Sequence, residues 1–208
     1  MKSENKENSH MASVDRLSPS CRAEPYWLGH MIETEINNYA ILLNEPRTRY
    51  YPILILKIHR QLIETILGDD RNAASKLGLA ELGMFHSLSV LFRAHKCVPN
   101  HIAVEPSHGS LGIGAYICYM ELVQSNDVET CMSRVPLLLS DAIMVSVLED
   151  IPFMIFDMAD KPMTVPVRAP AGSDEAGQIQ SITDEIVSME EAIRSGMGLT
   201  KDKPPQKG

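Results

Sequence analysis

YYPILILKIHRQLIETIL, Tyr50 to Leu67, is the stretch on which the reading of the whole chain turns. Pro52 stands where a helix favours its first residue, and Gly68 where a helix favours its stop. Ile55, Ile58, Leu62 and Ile66 recur at helical spacing, and Leu56, Ile63 and Leu67 widen the stripe. The first turn is apolar almost all the way round, which suits a helix buried on more than one side. The spacing therefore predicts a central buried helix over 52–67. The fold class that follows is mainly α: a single helical domain around that helix, with a minor β element and a C-terminal amphipathic helix.

Outward from this centre, Tyr26, Trp27, Leu28, Met31, Ile32, Ile36, Tyr39, Ala40 and Leu43 trace a second helical face that ends before Pro46. The short link over 44–48 makes the two predicted helices antiparallel neighbours. A third helix is predicted over Leu79–His95, closed by Pro99. Residues 101–124 admit strand or helix, and a short strand pair flanking a glycine-bearing loop is the favoured reading. Asp127 to Leu148 reads as helix, kinked or restarted at Pro136. The two apolar runs within 153–168 read as a hairpin or strap, the second held to a sheet edge by Pro166. In the last predicted helix Ile179, Ile182, Ile186, Met189 and Ile193 alternate steps of three and four, a coiled-coil-like seam of about two heptads.

Composition adds the boundaries. Residues 1–24 and 196–208 are too polar to offset the entropy of ordering and are expected to be disordered tails. They frame a core domain over 25–168, a linker over 169–177 and an amphipathic helix over 178–195. At 208 residues, 44% of them apolar, the chain suits one good core. Its 12 methionines suit irregular packing and adaptable surfaces.

The formal net charge of −8 argues against a protein that coats nucleic acid. A local basic run, Arg47, Arg49, Lys57 and Arg60 beside Tyr50 and Tyr51, remains a candidate nucleic-acid contact, with a solvated helix end as the favoured alternative. The four cysteines contain no CxxC pair, the first residues lack an apolar leader, and no long uncharged apolar window exists. A cytoplasmic protein without a membrane span is expected.

Three arrangements bear on chemistry. His95, Cys97, His101 and His108 offer imidazole and thiolate donors for a metal, at a spacing that matches no standard zinc signature. Residues 107–114 form a glycine-bearing loop of the kind that points N–H groups at phosphate, but without a Walker or dinucleotide fingerprint. Cys97 or Ser110 beside His101 or His108 satisfies the residue types of a nucleophile and base, with no elbow motif to support it. The favoured function is therefore a non-enzymatic interaction, assembly or regulatory subunit that binds a protein partner or itself through helical surfaces, with Ile179, Ile182, Ile186, Met189 and Ile193 as contacts. No cofactor is expected. The rivals are a metal- or phosphate-ligand protein or enzyme centred on 95–114, and nucleic-acid contact through the basic run.

Overall fold

Where a mainly helical domain is predicted, the described residues form an eight-stranded mixed sheet with helices on both faces. The computed structural model describes residues 21–67, 79–106, 116–125, 130–158, 162–170 and 172–197. In chain order the elements are β1 (Cys21–Glu33), β2 (Asn38–Asn44), β3 (Arg49–Ile55), α1 (Lys57–Leu67), α2 (Leu79–Ala94), β4 (Cys97–Pro106), β5 (Tyr116–Ser125), β6 (Thr130–Pro136), α3 (Leu139–Glu149), β7 (Phe153–Met158), β8 (Val165–Pro166) and α4 (Glu175–Gly196). The sheet order is β6-β5-β4-β7-β1-β2-β3-β8. Neighbours are antiparallel except β4 and β7, which run parallel.

The predicted first helix is instead the β1–β2 hairpin, and its misreading has a specific cause. The ladder with β2 shifts between Leu28 and His30, so one extra residue enters β1 at Gly29. Tyr26, Leu28 and Met31 then face one side of the sheet, while Trp27, His30 and Ile32 face the other. The bulge turns a step of two into a step of three, and a strand acquires helical spacing. Thr34 closes the hairpin: its N–H donates to the Asn37 carbonyl, and its hydroxyl accepts from the N–H groups of Ile36 and Asn37.

The predicted central helix divides at Leu56. Its first part is β3, where Tyr50, Tyr51, Ile53 and Ile55 are buried, and only its second part is α1. Pro52 survives inside a strand because of where its missing N–H would point. The Val167 N–H donates to Thr48 on the β8 side, so Tyr50 and Pro52, two and four residues on, also direct their backbone there. β8 has already ended at that point, and no ladder bond is lost. The predicted 127–148 helix likewise divides at its proline, into β6 and α3. The strand pair of 101–124 and the α2 and α4 helices form as expected, while the two apolar runs become β7 and β8, which pair with β1, β4 and β3 and not with each other as a hairpin.

The helix that fills the centre is α3. Leu139, Ala142, Ile143, Met144, Val145 and Ser146 are all buried, so it is enclosed on nearly every side. It packs with α1 and α2 on one face of the sheet, over Tyr26, Leu42, Tyr51, Ile53, Ile102, Met120, Phe153 and Ile155. Each such side chain contributes about 1.5–3 kcal/mol when fully buried. Asp150, in the left-handed conformation at φ 53°, stops α3, and the Ser146 hydroxyl donates to the Ile151 carbonyl at 2.6 Å to steer the chain into β7. No described helix is long and apolar enough to cross a membrane.

The opposite face is only half covered. Ile182 and Ile186 of α4 seat on Ile32, Ile41, Leu43 and Tyr50, with Tyr39, Val165 and Val167 alongside. Those residues belong to β1, β2, β3 and the β8 segment. Among the described residues no helix packs on the same face of β6, β5, β4 and β7.

Candidate functional surface

Strand alternation and register fix what the uncovered half presents. β6 contributes Met132 and Arg134, β5 contributes Ile117, Tyr119, Glu121 and Val123, and β4 contributes Val98, His101, Ala103 and Glu105. Met154 and Phe156 of β7 continue the row, both half-buried. Trp27 of β1, opposite Leu43, stands at the boundary with the half under α4.

The centre of this surface is polar and internally bonded. Arg134 lies 4.4 Å above the Tyr119 ring and donates from Nε to Glu121 Oε1 at 3.1 Å. On its other side Glu121 meets His101, whose Nε2 is 3.4 Å from Oε2. The Tyr119 hydroxyl donates to Glu105. Glu121 is only 6% exposed, and a carboxylate so deeply placed needs partners of this kind. Burial lowers the His101 pKa, opposed by the Glu121 charge and assisted by Arg134. Burial also raises the Tyr119 pKa, and the hydrogen bond to Glu105 adds to it. These groups hold one another in place and leave the apolar rim to face outward: Trp27 is 43%, Ile117 50%, Met132 61% and Val98 63% exposed. Apolar exposure around a fixed polar centre is the form of a binding surface.

A second constellation closes the far end of the sheet. Asp157 accepts from the Arg49 guanidinium at 3.0 Å, from the Thr164 N–H at 3.3 Å, and from the Met163 N–H and Thr164 hydroxyl. Arg49 also donates to the Thr164 hydroxyl at 2.7 Å and carbonyl at 3.0 Å. The knot straps the segment before β8 onto β3 and β7. Arg49, Asp157 and Thr164 also line a cavity of about 410 Å³ together with Tyr26 and with Arg22 and Glu24, which pair with each other. The donors and acceptors of the knot satisfy one another, which fixes the segment before β8 in place.

The basic run does not form a patch. Arg47 pairs with Glu175 at 2.7 Å, Arg49 belongs to the strap, and Arg60 pairs with Glu33 and Glu64. Lys57 is exposed at the start of α1. The proposed metal ligands do not converge either. His95 is exposed at the end of α2, Cys97 packs toward the helix-covered face, and His101 points to the opposite face. His108, Ser110 and the glycine loop lie outside the described residues, among which no group of three metal-ligating side chains gathers.

Of the seam residues, Ile182 and Ile186 are buried against the chain's own sheet, Ile179 is half-buried, and Met189 and Ile193 are exposed. Sequence reasoning missed Glu190, which anchors the same helix. Its Oε1 accepts from Asn37 at 2.7 Å, Tyr39 at 2.8 Å and Thr34 at 3.1 Å. The signal was an acidic residue four positions beyond Ile186, on the helix face that meets the sheet. His59 was missed as well: buried on α1, it places Nε2 3.7 Å from Asp141 of α3 and leaves Nδ1 without a partner among the described residues.

Neither the protein-family models nor the curated proteins contain a match to this chain.

Proposed function

We propose that this protein is a non-enzymatic interaction module, an assembly or regulatory subunit, whose docking surface is the uncovered half of the sheet. One observation carries the reading: Trp27, Ile117, Met132 and Val98 are exposed on a single sheet face whose other half is sealed by a helix. α4 supplies the pattern for the partner. Two isoleucines one turn apart, a carboxylate one turn beyond and an ion pair at the first turn seat this helix on the face. A partner helix with a narrow apolar stripe fits the open half in the same way, with polar groups to meet the Arg134–Glu121–His101 string. This moves the contact from the α4 seam, whose Ile182 and Ile186 are already engaged, to the sheet. A cytoplasmic setting goes with the reading, supported by the free thiols of Cys97 and Cys118.

The test compares affinity capture by the wild-type chain with capture by Ile117→Asp, Trp27→Asp and Ile193→Asp variants. A partner lost by the first two and kept by the third supports sheet docking. Partners kept by all three exclude it. Trp27 is the chain's single tryptophan, so its emission reports docking of a purified partner directly.

A further inference from the structure

The two edges of the sheet differ. β8 is two residues long and ends in Pro166, a short, proline-blunted edge. β6 is seven residues long and, among the described residues, hydrogen-bonds only to β5. Its outward backbone groups can be assigned. The Leu137 N–H donates to the Cys118 carbonyl at 3.1 Å, so in this antiparallel ladder residues 131, 133, 135 and 137 direct their backbone to β5. Thr130, Met132, Arg134 and Pro136 direct theirs away from the sheet. The outward donors are the N–H groups of Thr130, Met132 and Arg134, since Pro136 has none.

We infer that this edge pairs with the same edge of a second copy of the chain, antiparallel and centred on Ser133. The argument for a second copy is self-complementarity. In that register all seven residues of each strand overlap. Met132 lies opposite Arg134 of the second copy, Thr130 lies opposite Pro136, and no like charges meet. Each outward N–H finds a carbonyl: Met132 and Arg134 exchange bonds, and Thr130 donates to Pro136, the one residue that cannot return a bond. Shifting the register by two residues in one direction sets Arg134 against Arg134, and either shift shortens the overlap. The twofold axis stands perpendicular to the sheet, so the result is one sixteen-stranded sheet whose two uncovered halves are contiguous on one face. An interface of this kind is isologous, the commonest form in closed oligomers. The pairing does not rest on the helix-docking reading, because it uses backbone at the edge and leaves Trp27 and Ile117 free.

The experiment is sedimentation of the full-length chain under reducing conditions, for the wild type and for Met132→Pro. The outward Met132 N–H makes no bond to β5, so proline there removes a bond of the dimer while leaving the ladder of the subunit intact. The expected result is a concentration-dependent dimer for the wild type and a folded monomer, by circular dichroism, for Met132→Pro at the same concentrations. A wild type that stays monomeric, or an assembly that persists in folded Met132→Pro, overturns the inference. Ser133→Cys provides a second readout that does not depend on the proline variant folding. In the proposed register the two Ser133 positions form a non-hydrogen-bonded pair with Cα atoms about 4.5 Å apart, within disulfide range. Oxidation should therefore give a covalent dimer that peptide mapping locates at position 133. Failure to crosslink there, with the cysteine accessible to alkylation, overturns the inference as well. Loss of the dimer leaves partner capture through Ile117 to be judged separately, so the two readings fail independently.

Discussion

The two halves of one sheet face differ in what lies on them and in what they carry at their centre: apolar side chains under α4, a bonded polar string on the open half. Under α4, Ile41 and Leu43 are buried, and the helix is held at three points along its length. Arg47 and His30 meet Glu175 at its first turn, Ile182 and Ile186 sit in the middle, and Glu190 reaches Thr34, Asn37 and Tyr39 near its end. On the other half Ile117 and Met132 occupy comparable face positions but stay in solvent, and the interior polar groups are satisfied by one another. An exposed isoleucine on a sheet thus says nothing about foldability. It records whether the chain supplies its own cover.

The strongest way to break the comparison is to loosen the cover. Ile182→Ala should lower unfolding free energy by about 3 kcal/mol in denaturant titration, because the site is buried between helix and sheet and leaves a cavity. A change within the surface range would mean that α4 does not hold this face. Glu190→Gln should cost about 1–2 kcal/mol, since three donors lose a charged acceptor.

The same carboxylate gives a pH test. Burial alone raises its pKa, but the hydrogen bonds from Asn37, Tyr39 and Thr34 outweigh that and leave it below the ordinary value of 4.5. A carboxyl depressed in the folded state contributes stability that is fully present above about pH 4.5 and is lost as pH falls through its folded pKa. Hydrogen exchange should therefore show α4 amides losing protection on acidification below that point, and Glu190→Gln should flatten the dependence.

Gly29→Ala probes the boundary between the halves. A Cβ there would lie 2.5 Å from Leu43 Cδ1, so Leu43 must move, at a cost of about 1 kcal/mol read as a lowered Tm. The smallest effect is expected on the open half. Ile117→Ala should change stability by less than about 0.5 kcal/mol while weakening partner capture. A large loss of stability there would show that the half is covered after all.

Much of the element list was legible in sequence. The strand pair at 101–124, the apolar runs of β7 and β8 with Pro166 at the edge, and the α2 and α4 helices follow from local pattern. The failures share a cause, for helical spacing was produced three times by something other than a helix. In β1 the bulge at Gly29 inserts a step of three. At 50–67 a strand buried along one face, with Tyr50 buried on the other, runs into an amphipathic helix, and the joined apolar positions imitate one longer helix. At 127–148 Pro136 closes a strand rather than kinking a helix. In each case the residue that would have decided the matter, Gly29, Pro52 or Pro136, is read by what does or does not lie beside it on the adjacent strand, which is distant information.

The site was legible in parts. Arg47, Arg49 and Arg60 lie within fourteen residues of sequence and carry charge, but the fold gives each its own carboxylate. The α4 seam was visible as a stripe, because periodicity along one helix is local. What the stripe faces was decided by the sheet.

By itself, the sequence determined which segments are apolar on one side, where prolines interrupt them, and that the last helix carries a narrow seam. All of these depend on contacts within a few residues. Only the tertiary structure decided that the seam closes on its own sheet, and that, among the described residues, half of that face stays open and one edge strand is blunted while the other has no partner beyond β5. Those outcomes depend on which strands become neighbours, and strand order is set by pairings between residues far apart in the chain.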